Sequence, residues 1–155
     1  MEIKEFCISD IDRVFEIQRA AFRPLYDKYR DETTNPCLES RELVLQKYTR
    51  AGTKGYLFLF EGVAVGAVRI SFSPEEKSAR ISSLAVHPDF QSRGLAQKAL
   101  LEIEKLHPEV KLWKLSTIMQ EAGNCHLYEK LGYRRTGQIE HVNDSMSLVY
   151  YEKKV

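Results

Sequence analysis

The sequence predicts one α/β domain, a mixed and twisted central sheet of about six to seven strands flanked by about four helices. Three observations predict it. Two β-rich runs, Tyr56 to Phe60 and Val63 to Phe72, are separated only by Glu61-Gly62, a hairpin connection, and a third run follows over Arg80 to Val86. An amphipathic helical pattern over Leu95 to Leu106 then leads to another strand pattern at Leu112 to Thr117, which makes a parallel, right-handed strand–helix–strand unit. At 155 residues the chain is long enough for one substantial core and short for two domains.

Taken in order, Glu2 to Cys7 alternates polar and apolar residues as a first strand. Ser9 is an expected N-cap for a helix whose face is marked by Ile11, Phe15, Gln18, Ala21 and Phe22, and Arg23-Pro24 is expected to end or bend it. A second short helix is expected from about Tyr26 to Arg30, then a loop to Ser40. Glu39 to Arg50 regains helical spacing and stops at Ala51-Gly52. Beyond the central unit, Ala122 to Leu131 reads as a helix closed by Gly132, and Tyr133 to Thr136 with Ser145 to Lys153 as a last hairpin.

Composition narrows the function. Charged residues are 29% of the chain but the net charge is only +1, so no global field draws nucleic acid or an anionic membrane, and any polyanion must be met locally. The three cysteines lack metal-type spacing and suit a reducing compartment, the four histidines are scattered, and no metal is expected. The N-terminus is charged too early for a secretory signal and no apolar run approaches spanning length, so a cytoplasmic protein is expected. Nucleotide hydrolysis is excluded because no phosphate turn carries Gly-Lys-Ser/Thr.

The local polyanion site is the turn between the Ile81–Val86 strand and the helix that follows. His87-Pro88 stops the strand, and Gln91, Ser92, Arg93, Gly94, Leu95 and Ala96 bring the chain to a helix start with a glycine where backbone can approach a ligand closely. First-turn amides and the positive end of the helix dipole then face outward. Downstream, Asn124 and Tyr128 lie four apart, on one face of a helix.

Gln91, Gly94 and Ala96 resemble the acetyl-CoA signature of the GNAT superfamily of N-acyltransferases: Gln or Arg, two residues, Gly, one residue, then Gly or Ala. The block Asn124 to Tyr133, NCHLYEKLGY, is similar to a second block of that family. The likeness covers the C-terminal two thirds by motif and the remainder by element order. It implies a GNAT-like fold and an N-acetyltransferase that uses acetyl-CoA, with the pyrophosphate on the amides of Gln91 to Ala96 and the pantetheine arm along Leu84, Ala85 and Val86. Arg93 and Lys98 would meet the remaining phosphate. By the same likeness Tyr128 is the general acid, Asn124 contacts the pantetheine arm, and Phe22, Tyr26 and Tyr29 form the acceptor wall, with Arg23, Asp27 and Asp31 at its mouth. Many family members carry the asparagine further upstream of the tyrosine, where this chain has Glu121. The acceptor is a small-molecule or peptide amine, and a homodimer is allowed.

No general base is assigned: Glu61, His87 and His141 are available, and water relayed by backbone carbonyls with Ser82 or Ser83 is preferred. Cys125 has no evident base partner for a covalent route. The alternative reading is a non-catalytic acyl-CoA-binding or sensor module, supported by the lack of a carboxylate on the central strand.

Overall fold

The computed structural model describes residues 1–155. Seven strands form one sheet in the order β1-β2-β3-β4-β5-β7-β6: β1 Glu2–Glu5, β2 Thr53–Phe60, β3 Val63–Ser73, β4 Ser78–Val86, β5 Leu112–Ile118, β6 Arg134–Asn143 and β7 Met146–Lys154. All neighbours are antiparallel except β4 and β5, which are parallel and joined by the crossover helix α3, Leu95–Leu106. Period-two alternation sorts the side chains between two cores. Tyr56, Phe58, Val68 and Ile70 face Leu95, Ala99, Leu100 and Ile103 of α3 together with Cys125, Tyr128 and Leu131 at α4, Ala122–Lys130. Leu57 and Ala67 point the other way, onto Ile11 and Val14 of α1 (Ile11–Tyr29) and Val44 and Tyr48 of α2 (Arg41–Thr49).

Three sequence expectations are corrected. Helix α1 neither stops nor restarts at Pro24; it runs through to Tyr29, absorbing the Tyr26–Arg30 helix expected as a separate piece. Proline removes one bond there, but buried Ile11, Val14, Ile17, Gln18 and Tyr29 hold the rest of the helix down. It ends where Arg30 turns left-handed, φ 52°, with its N–H on the Tyr26 carbonyl at 2.7 Å. Ser9 is not the N-cap: it lies inside a short 3₁₀ turn, Ile8–Asp10, whose Asp10 carboxylate accepts the Cys7 N–H at 2.9 Å. Strand β6 runs far past Thr136 to Asn143; as an edge strand exposed on both faces over most of its length, it carries no apolar alternation to announce it.

What positions the site is a fault in the sheet. Strands β4 and β5 pair only at Ser78, Ala79 and Arg80 against Leu112, Trp113 and Lys114, then diverge. Between the pairs Ala67↔Ala85 and Arg69↔Ser82, β3 spends one residue and β4 spends two, so β4 carries a bulge, with Ser83 at φ 51°. Val86 stays paired to Gly66 on the β3 side, which leaves the other edge of Ser82 to Val86 without a strand neighbour.

Gly66 is the anchor of that arrangement. A Cβ placed there would meet the Phe58 ring at 2.4 Å and the Ala85 carbonyl at 2.8 Å. Gly66→Ala is therefore expected to cost about 2 kcal/mol or more by overpacking, read as a lower urea midpoint, and to disturb β4 where it borders the site. An unchanged midpoint would mean that β4 can move without cost.

Candidate active site

Two cavities meet along the open edge of β4. The larger, about 570 Å³, runs past Leu84, Ala85 and Val86 to Gln91, Ser92, Gly94, Leu95 and Ala96. The smaller, about 250 Å³, fills the wedge between the diverging strands and is lined by Arg80 to Leu84 on one side and Leu115 to Ile118 on the other. Phe22, Leu25, Leu84, Asn124 and Tyr128 line both.

The turn closing the larger cavity has its donors free. Gln91 N–H bonds the Pro88 carbonyl at 3.4 Å, and the next donation along the chain is Lys98 N–H to the Gly94 carbonyl at 3.1 Å; between them, the amides of Ser92 through Gln97 have no acceptor in the protein. Ser92 (φ 63°) and Gly94 (φ 75°) are left-handed, a backbone form that turns successive N–H groups into one concavity, and a Cβ on Gly94 would meet nothing within 4 Å. The Gln91 side chain fastens the turn to the strand by donating to the Val86 carbonyl at 2.9 Å. Arg93 lies aside, stacked on Phe90 and Phe60 at 5.2 and 5.9 Å.

Tyr128 stands where the cavities join. Its ring packs edge-on against Tyr133, 6.1 Å between centroids, and beside Tyr151. Only the Tyr48 hydroxyl is both fully enclosed and without a partner, so the Tyr128 hydroxyl, which bonds nothing in the protein, reaches open space. Burial pushes this phenol well above the ordinary tyrosine range, with Cys125 adding to the effect. Asn124, one helical turn earlier, is exposed to both cavities.

Of the three aromatic residues expected in the acceptor wall, the structure brings only Phe22 to the cavities. Tyr26 lies outside, its hydroxyl donating to Glu32 at 2.7 Å. Tyr29 is buried behind the wall against Ile118 and Met146, with its hydroxyl on Glu121 at 2.5 Å. Glu121 lines the larger cavity and also holds Lys28 at 2.7 Å, tying the end of α1 to the start of α4. Burial works to raise the Glu121 carboxyl, but the bonds from Lys28 and Tyr29 prevail and keep it below its usual range. Glu61, His87 and His141 line neither cavity, whereas Ser82 and Ser83 line the smaller one. Sequence reasoning missed Arg80 and the β5 and β7 contributions to the lining, Leu115 to Ile118, Met146 and Leu148. Their strand periodicity marks a buried face but not the wedge it borders.

The Cys125 thiol points to the Ile118 and Met119 carbonyls, at 3.7 and 3.9 Å, and not into either cavity.

The open strand edge thus runs to a cup of free amides, and a second cavity adjoins it along Phe22, Leu25, Leu84, Asn124 and Tyr128. The chain belongs to the acetyltransferase (GNAT) family, whose model matches residues 11–133, and so to the acetyl-CoA-dependent N-acetyltransferases. No curated protein matches it by sequence. Its fold is similar to that of the ribosomal-protein-S18-alanine N-acetyltransferase of Escherichia coli (15% identity, 99% of this chain and 93% of that one, TM-score 0.79). It is likewise similar to the PaiA N-acetyltransferase of Thermoplasma acidophilum, solved with coenzyme A (18% identity, 100% of both chains, TM-score 0.75). A third structure, the spermidine N-acetyltransferase of Vibrio cholerae with CoA and spermine, matches at 14% identity over 99% of this chain and 94% of that one, TM-score 0.79. No helix of the protein is long and apolar enough to cross a membrane.

Proposed function

We propose that the protein moves an acetyl group from acetyl-CoA to a primary amine by direct attack, with Tyr128 as general acid. The observation that carries this is the unbonded Tyr128 hydroxyl at the junction of the two cavities. The free amides of Ser92 to Gln97 receive the pyrophosphate, the unpaired edge of Leu84 to Val86 receives the pantetheine amides in the manner of an added strand, and Asn124 adds a side-chain bond to the same arm. The thioester then lies beside Leu84, and the amine reaches it from the smaller cavity. Attack forms the C–N bond; collapse breaks C–S and leaves a thiolate, to which the Tyr128 phenol gives its proton, while the new amide loses its extra proton to water near Ser82 and Ser83. The buried position of Cys125 supports transfer without a covalent enzyme intermediate.

Free-thiol release from acetyl-CoA across a panel of primary amines, with the acetylated product identified by mass, tests this reading. Release that rises with one class of amine is expected; release indifferent to every amine would defeat it.

The pH profile has a definite sign. The phenol is raised by burial, so its acid form persists as pH climbs, while the amine gains its attacking form. The expected kcat/KM rises through the amine's own pKa and shows no descending limb below about pH 10, the ordinary tyrosine value. A descending limb below that value would show a phenol that ionises too early.

A further inference from the structure

We propose that the acceptor is a primary amine carried on an uncharged apolar body, an arylalkylamine, seated against Leu25, Ile118, Met146 and Leu148; the proposal rests on the acetyl-transfer reading above and names its acceptor class.

Neither cavity keeps a charge free for an ionic acceptor. Asp31 and Arg80 are the only charged residues lining the smaller one. Asp31 is engaged as the cap of its own turn: one oxygen accepts the Thr33 N–H and hydroxyl, each at 3.0 Å, and the Thr34 N–H at 2.9 Å, while the other accepts the Thr34 hydroxyl. Arg80 carries its charge away from the cavity, because its guanidinium stacks over the Tyr150 ring, 5.9 Å to the centroid, and Tyr150 lines neither cavity. Carboxylates share that face of the sheet. Glu152 stands in one row with Arg80 and Lys114, and Glu140 accepts the Tyr150 hydroxyl at 2.7 Å.

The larger cavity has one charged liner, Glu121, and its carboxylate is held by Lys28 and Tyr29. A second ammonium on the acceptor, or a carboxylate, would therefore enter a partly desolvated wedge with no free counter-charge. Polyamines and amino acids are disfavoured. The strand hydroxyls that line the smaller cavity, Ser82, Ser83, Ser116 and Thr117, can hydrogen-bond an amine but neutralise nothing.

What the smaller cavity offers instead is apolar surface. Leu25 and Leu148 pack on the buried pair Ile118 and Met146 yet remain only half-buried, and all four line the cavity together with Phe22. Apolar side chains left half-buried around a concave space gain from an apolar ligand that completes their burial. A ring suits this lining, since the Met146 thioether and the Phe22 ring both make favourable contacts with aromatic groups. A cavity of about 150 Å³ lined by Leu, Ile and Phe takes up benzene. The 250 Å³ or so available here holds a ring and the short arm that carries its amine to Leu84 and Tyr128.

The test compares four primary amines, 2-phenylethylamine, ethanolamine, 3-aminopropanoate and 1,4-diaminobutane, each corrected for its free-base fraction. With wild-type protein, kcat/KM from thiol release is expected to be at least about tenfold higher for 2-phenylethylamine than for any of the others. Leu148 lines only the smaller cavity, so its variants should bind coenzyme A as wild type does, which identifies folded protein. Leu148→Ala should lower kcat/KM for 2-phenylethylamine by about threefold or more and leave ethanolamine unaffected. Leu148→Glu should shift the ratio of 1,4-diaminobutane to 2-phenylethylamine at least about tenfold toward the diamine, a gain that unfolding cannot imitate. Equal or better use of ethanolamine, 3-aminopropanoate or the diamine by wild type, or ratios unmoved in both variants with coenzyme A still bound, would overturn the proposal. Calorimetric binding of 2-phenylethylamine that Leu148→Glu abolishes, with no thiol release from any amine, would keep the apolar subsite and defeat acetyl transfer instead.

Discussion

Tyr128→Phe is expected to lower kcat by about 10²-fold or more while leaving the affinity for coenzyme A nearly intact, because only the proton delivered to the leaving sulfur is removed. The ring's packing against Tyr133 and Tyr151 is kept by phenylalanine, and the lost hydroxyl has no protein partner to strand. Stability should therefore change by less than about 1 kcal/mol, which separates a chemical role from a packing role. The expected split is a fall in kcat with CoA binding by calorimetry unchanged, and a smaller fall with an acyl donor whose leaving group is a weaker base than an alkyl thiolate. A phenol held well above the ordinary tyrosine range keeps its proton until negative charge develops on sulfur next to it. Turnover equal to wild type would mean that water protonates the thiolate and that Tyr128 is only a wall of the junction.

Most of the architecture was legible because it is written in periodicity. The α3 face of Leu95, Ala99, Leu100 and Ile103 and the alternation of Tyr56, Leu57 and Phe58 follow from burial on one side of a helix or on alternate sides of a strand. The turn at Gln91 to Ala96 was legible by likeness to family motifs, and its free amides follow from its being a helix start. The wedge was not legible. It depends on a bulge at Ser83, a non-glycine residue at positive φ that no sequence signal announces, and on β4 leaving β5 after three paired residues. For the same reason Arg80 reads as an ordinary strand-start arginine until the divergence gives it a cavity to face. The continuity of α1 through Pro24 shows the converse: a local rule predicts a break, and buried contacts on both sides of the proline override it. Phe22, Tyr26 and Tyr29 lie on one face of α1, at i, i+4 and i+7, so it is the advance along the axis, about 1.5 Å per residue, that carries the later two past the cavity, Tyr26 to Glu32 and Tyr29 to Ile118 and Met146.

Gly94→Asp should reduce the affinity for coenzyme A by about 10³-fold, the loss expected when a carboxylate displaces charge-assisted amide bonds and stands among phosphate oxygens. Three substitutions at this one position separate the causes. The residue sits at φ 75°, so any side chain there carries backbone strain; alanine supplies the strain with a methyl group, asparagine supplies strain and bulk without charge, and aspartate adds the charge. A Cβ at Gly94 meets no protein atom within 4 Å, so none of the three is forced to unfold the turn by collision. If the amides of Ser92 to Gln97 hold a diphosphate, affinity by calorimetry falls in the order Gly, Ala, Asn, Asp, and the step from Asn to Asp is the largest and shrinks as salt is raised. Equal affinities for Asn and Asp would show that no anion lies against this turn, and a wild-type affinity for Asp would place the cofactor elsewhere on the molecule.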